Sequence, residues 1–170
     1  WINLRDRFPH PYTPADARAW LVWVARKTPE TDFAIAIAVG GEAVGGIGIG
    51  LRDDVARRSA EIGYWLGRAH WGRGLATTAV TALTAWSFAH FDLCRIDAAV
   101  FAWNPASARV LEKAGYALEG RLRKSVTKDG RTIDQLLYAR VLEDGAGIGV
   151  APPGAPPSGV SSPSPTPTQP

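Results

Sequence analysis

Seventeen residues constrain this chain most: Glu61-Ile-Gly-Tyr-Trp-Leu-Gly-Arg-Ala-His-Trp-Gly-Arg-Gly-Leu-Ala-Thr77, an extended apolar run that passes through a glycine-rich loop into a helix. Glycines at 72 and 74 let backbone N–H groups approach a ligand closely, and the helix that follows offers its positive N-terminus, so the unit suits a pyrophosphate. A purely structural tight turn would use the same glycines. Two nucleotide-binding patterns fail here. Residues 67–74 read GRAHWGRG and lack the Gly-Lys-Ser/Thr of a P-loop. GxGxxG breaks at Thr77, and no acidic residue ends a second strand at the distance a dinucleotide fold needs.

Around this unit the periodicity alternates between helical and extended stretches, which predicts an α/β or α+β domain. Thr13-Pro-Ala-Asp opens a helix to Arg26 with Ala17, Trp20, Leu21 and Val24 on one face. Phe33 to Val39 and Glu42 to Leu51 are apolar runs split by Gly40-Gly41, a hairpin signature. Ala60 to Leu66 is a third strand, and Thr77 to His90 a helix with Ala79, Leu83, Trp86 and His90 in phase. A strand from Arg95 to Phe101, a short helix from Ala106 to Ala114 and two closing strands, Tyr116 to Arg123 and Thr132 to Val141, complete the order.

With 170 residues, 46% of them apolar, the chain suits one core. The expected division is a domain over 1–144 and a disordered tail over 145–170, where a Pro/Gly/Ser-rich, uncharged segment cannot offset its ordering entropy. The net charge of +3 is spread along the chain and forms no nucleic-acid arm. The single cysteine, Cys94, reads as a small buried residue, and neither His10 nor His70 has a metal-ligand companion at useful spacing. No long apolar run and no leader is present, so a cytoplasmic protein without a membrane span is expected. Because the sequence starts at Trp1 and has no methionine, an opening element is expected to precede it.

Trp71-Gly-Arg-Gly-Leu-Ala76 resembles the coenzyme A loop of the GNAT superfamily of N-acetyltransferases, and the surrounding GYWLxxxxWGRGLAT is similar to the RimJ/RimL group, which acetylates ribosomal-protein N-termini. Phe8-Pro-His-Pro-Tyr-Thr13, GGEAVGGIGI, Asn104-Pro-Ala-Ser107, Val110-Leu-Glu-Lys-Ala-Gly-Tyr116 and Glu119-Gly-Arg-Leu-Arg123 extend the resemblance in order and spacing from about Phe8 to Val141. One departure is Trp71, which stands where the superfamily loop usually has Gln or Arg; Arg73 is the nearest substitute. The resemblance implies a mostly antiparallel, splayed central sheet with helices on both faces and an opening strand before Trp1. It also implies transfer of acetyl from acetyl-CoA to a primary amine by direct attack in a ternary complex.

The acceptor implied is a protein N-terminal α-amino group, with a small-molecule amine or a non-catalytic coenzyme A binding module as alternatives, and the protein acting as monomer or homodimer. Backbone of Tyr64, Trp65 and Leu66 is expected along the pantetheine, and Trp71, Gly72, Arg73, Gly74, Leu75, Ala76 and Thr77 around the pyrophosphate. Asn104 is either a pantetheine contact or a plain turn residue.

Direct attack needs a base and a proton donor. Glu61, the only carboxylate of its strand, is either that base or an exposed strand residue, since Gly63 can mark a bulge that alters its facing. The tyrosine many GNAT enzymes use as the acid is replaced by Leu111; Ser107 fits the serine of the RimJ/RimL pattern, and a helix N-cap explains it equally well. Tyr116 is expected to pack as a strand aromatic. Arg121, Arg123, Lys124 and Lys128 are expected to be a solvated face, or to attract the cofactor's 3′-phosphate or an acidic partner.

Overall fold

The computed structural model describes residues 3–6, 8–26 and 32–142; the expected tail at 145–170 lies outside them. Three helices and six strands follow in the order α1 (Pro14–Ala25), β1 (Asp32–Val39), β2 (Glu42–Leu51), β3 (Ser59–Leu66), α2 (Leu75–His90), β4 (Arg95–Phe101), α3 (Pro105–Lys113), β5 (Ala117–Lys128) and β6 (Arg131–Val141). The strands form one sheet in the order β1-β2-β3-β4-β6-β5. All pairs are antiparallel except β3 with β4.

That exception decides the architecture. β3 and β4 pair only at Ser59, Ala60 and Glu61 against Arg95, Ile96 and Asp97, and among the described residues nothing pairs with this edge of β3 beyond Glu61. The sheet therefore opens into a V along Ile62 to Leu66. The β2–β3 register runs unbroken from Gly45–Leu66 to Leu51–Ala60. Gly63 is thus no bulge, and strict alternation holds: Glu61, Gly63 and Trp65 share one face, Ile62, Tyr64 and Leu66 the other.

The second face carries α2 and α3 and the core, in which Ile62, Val80, Leu83, Ile96, Val100 and Leu111 are buried. α2 buries Val80, Leu83, Thr84 and Ser87, one step round from the expected stripe, which leaves Trp86 partly exposed against Phe33 and His90. Tyr116 packs in the core as expected, just ahead of β5, with its hydroxyl 2.7 Å from Thr84 Oγ1.

α1 differs from expectation. Thr13 caps it in a capping box with Asp16, but the helix buries no residue, and Leu21 stands exposed. Its aromatic residues line a cleft instead of entering the core. Lys128 is a second correction, being only 1% exposed. Its register partner on β6 is Arg131 while that of Arg121 is Leu136, five residues on, so Lys128 faces away from Arg121, and its Nζ reaches Asp6 at 2.6 Å. Cys94 is half-buried, its thiol donating to the Arg58 carbonyl at 3.4 Å.

Candidate active site at the splay

The three-residue join between β3 and β4 is held by charge. Arg52 donates to both oxygens of buried Asp97 at 2.6 and 2.8 Å, and Arg95 reaches the same carboxylate at 3.4 Å while forking onto Glu119. Bidentate pairs of this kind fix geometry as well as adding energy. Glu61, the register partner of Asp97, begins the opening. It sits in a cavity of about 450 Å³ beside Arg52, Asp97, Lys128 and Gln135, and pairs with Arg5 from the segment before α1. So the carboxylate faces a cavity at the mouth of the V, not the helical core.

Across the sheet, Tyr64 points the other way and meets α3. Its hydroxyl donates to the Ser107 carbonyl at 3.0 Å and lies 2.8 Å from Ser107 Oγ. A tyrosine has one proton to give. With that proton on the carbonyl, Ser107 supplies the hydrogen of the 2.8 Å contact; with it on Oγ, the serine hydrogen is released toward the gap. Burial pushes the Tyr64 hydroxyl up to about 12, against the opposite pull of the Ser107 bond, so it stays protonated at neutral pH. Ser107 is not the helix cap. Asn104 is: its Oδ1 accepts from the Ser107 N–H at 3.2 Å, and Pro105 opens the first turn.

The glycine loop follows β3. Gly72 and Gly74 have φ of 74° and 77°, a left-handed conformation that favours glycine, and a Cβ built on either would meet nothing within 4 Å. The loop is therefore open to a ligand at both positions. Gly74 is the N-cap of α2, with no side chain bonded to the first-turn amides, so those amides and the helix dipole fit an anionic group. Trp71 has a function that the motif does not reveal: its Nε1 donates to the Leu66 carbonyl at 2.8 Å, tying the loop back to the end of β3. Arg73 leans on His70 Nδ1 at 3.2 Å.

Of the sequence-predicted residues, the structure brings Tyr64, Ser107 and Asn104 into one hydrogen-bonded group and ties Trp71 to Leu66, while Glu61 lies on the other face of β3 in the cavity with Arg5, Arg52 and Asp97. The Tyr64 hydroxyl was missed because only its backbone was read; the alternation that sets it opposite Glu61 was the available signal. The Arg52–Asp97 clamp and the aromatic cleft under α1 left no mark in local sequence.

Comparison with known proteins places the sequence and the fold. The family described as Acetyltransferase (GNAT) domain matches residues 2–117. An uncharacterized N-acetyltransferase p20 of Bacillus licheniformis is 36% identical over 115 residues, 68% of this chain and 64% of that protein. The chain spans less than two thirds of the length of the first curated relatives it matches. The crystal structure of the Microcin C7 self immunity acetyltransferase MccE in complex with acetyl-CoA and AMP aligns at a TM-score of 0.69 and 25% identity, covering 75% of this chain and 71% of that one. Mycobacterium smegmatis RimJ in complex with CoA-disulfide also gives 0.69, at 30% identity over 75% of this chain and 61% of that chain. On the family match and the splayed sheet together, this chain belongs to the GNAT acetyltransferase family and resembles its RimJ/RimL group.

Proposed function

We propose that this domain transfers the acetyl group of acetyl-CoA to a primary amine, the α-amino group at a protein N-terminus, by direct attack in a ternary complex in the cytoplasm. The observation that carries the reading is the V between β3 and β4, with an open glycine loop at its wide end. The amides of the glycine loop and of the first turn of α2, from Gly72 to Thr77, would hold the pyrophosphate, and the unpaired edge of Tyr64, Trp65 and Leu66 with Asn104 would flank the pantetheine. Bound there, acetyl-CoA supplies a thioester carbonyl to the amine and a sulfur that leaves.

The chain's own groups do the rest. Glu61 takes the proton of the attacking ammonium, directly or through one water, since it is the carboxylate of β3 in that cavity, where Asp97 is clamped by Arg52 and Arg95 and Asp6 pairs with Lys128. A free N–H on the unpaired edge of β3 donates to the carbonyl oxygen as charge develops there. Ser107, backed by Tyr64, gives its proton to the departing sulfur and takes in its place the second proton that the acylated nitrogen sheds. The RimJ/RimL resemblance supports a peptide N-terminus as acceptor.

Incubating the purified chain with acetyl-CoA and a panel of N-terminal peptides and small amines, and following thiol release, tests this. Release with peptides and acetylation of their α-amino group is expected. Release with small amines alone would move the acceptor to that class. If no acceptor turns over although acetyl-CoA raises the melting temperature, the domain is a coenzyme A binding module.

A further inference from the structure

Two neighbouring residues of the segment before α1 reach into the cavity that holds Glu61, and they reach different halves of the sheet. Arg5 pairs with Glu61 on β3, and Asp6 pairs with Lys128 on β5 at 2.6 Å. The segment therefore spans the cavity as a strap. Its two ends hold with unequal strength. The Lys128 side chain is 2% exposed, so opening that pair strips a partner from a buried charge. Arg5 and Glu61 are 46% and 40% exposed, and an ion pair so placed contributes little.

The loose end sits where the reaction needs access. Among the described residues Arg5 is the ion-pair partner of Glu61, the carboxylate assigned above to take the ammonium proton. A guanidinium donates hydrogen bonds and accepts none, so it occupies the carboxylate as an incoming ammonium would. The charges in the cavity balance: Asp6, Glu61 and Asp97 line it against Arg5, Arg52 and Lys128. Arg52 holds Asp97 through both terminal nitrogens and Lys128 holds Asp6, which leaves Arg5 as the cation that can withdraw without uncovering a buried group. One ammonium arriving on Glu61 as Arg5 departs keeps the balance. An anionic acceptor group would upset it.

We infer that Arg5 is a specificity-determining residue of the acceptor site, its guanidinium holding on Glu61 the place that the acceptor's ammonium takes. The inference rests on the acetyl-transfer reading above. Arg5 is then an internal competitor that every acceptor displaces, and an acceptor does so by presenting a cation to Glu61. Asp6 stays on Lys128 meanwhile, so displacement is a swing of one side chain with the strap in place.

The test measures acetylation of a peptide that begins with Ala, and of spermidine, by the wild-type chain, Arg5→Ala and Arg5→Lys, with thermal melts to show that each variant is folded. Arg5→Ala is expected to lower the acceptor KM about two- to fivefold, the range an exposed ion pair commands, with kcat within about twofold and the acetyl-CoA thermal shift unchanged. Arg5→Lys retains the competing charge and should keep the wild-type KM. An unchanged or raised acceptor KM in Arg5→Ala overturns the inference while acetyl transfer stands; a rise would make Arg5 a contact for the acceptor or a support for Glu61. If neither acceptor is acetylated, transfer fails for both, and calorimetric titration of the peptide and of its N-acetylated form decides. Tighter binding of the free amine, and not of the acetylated form, by Arg5→Ala retains the inference; equal binding or none overturns it.

Discussion

The hydroxyl of Tyr64 on β3 lies 2.8 Å from that of Ser107 on α3, across the gap where the sheet parts. Removing either oxygen separates chemistry from stability. Ser107→Ala should lower kcat by about tenfold or more with little change in acetyl-CoA affinity, because a proton donor acts mainly in the transition state. Tyr64→Phe should lower kcat by a smaller factor, since Ser107 keeps its hydroxyl but loses its partner. Wild-type turnover in both would show that the pair is structural.

Stability of α3 should instead respond at Asn104. Its side chain, not that of Ser107, satisfies a first-turn amide, so Asn104→Ala should cost about 1 kcal/mol in urea unfolding while Ser107→Ala costs less.

Replacing Glu61 by Gln keeps size and polarity while removing the proton acceptor. A fall in kcat of roughly 10²–10⁴-fold with unchanged cofactor affinity is expected, read by steady-state kinetics and by titration of acetyl-CoA. Retained rates would make Glu61 only the partner of Arg5.

At Gly74 a β-branched residue meets two obstacles, the left-handed backbone and the approach of the ligand. Gly74→Val should abolish the stabilisation by acetyl-CoA, worth about 2.7 kcal/mol at a hundredfold excess over Kd, in a thermal melt. A preserved shift would mean that the loop is only a turn.

Alkaline pH should destabilise the fold through two buried tyrosines. Desolvation pushes both Tyr64 and Tyr116 up to about 12, above the ordinary value near 10, so the folded state holds their protons longer than the unfolded chain does. Their contribution is complete below about pH 10 and lost as pH rises toward 12. The urea midpoint should fall across that window, and less steeply in Tyr64→Phe. A flat midpoint would contradict the burial.

Much of this was legible in the sequence because it is local. The GlyGly hairpin, the Asn-Pro start of α3 and the glycines at 72 and 74 each depend on a few adjacent residues, whereas the facing of Glu61 stayed open at Gly63 until the unbroken β2–β3 register settled it. What depends on distant pairing was not. Lys128 was read with its arginine neighbours, yet its partner Asp6 is 122 residues away. α1 was expected to present Ala17, Trp20, Leu21 and Val24 as one apolar face, yet it buries no residue and its tryptophans line a cleft with Trp65. Ser107 and Asn104 stand three residues apart, so only the observed bond shows which one caps.

A sheet fastened at a single corner behaves as two plates on a hinge. β1, β2 and β3 form one plate and β4, β6 and β5 the other, and Arg52, Asp97 and Arg95 are the pin. The backbone groups of Ile62 to Leu66 that face the slot have no strand partner among the described residues, which leaves them available to a strand-like guest. In the acetyl-transfer reading, the cofactor's extended arm would lie there as the partner that β4 does not supply to this edge of β3.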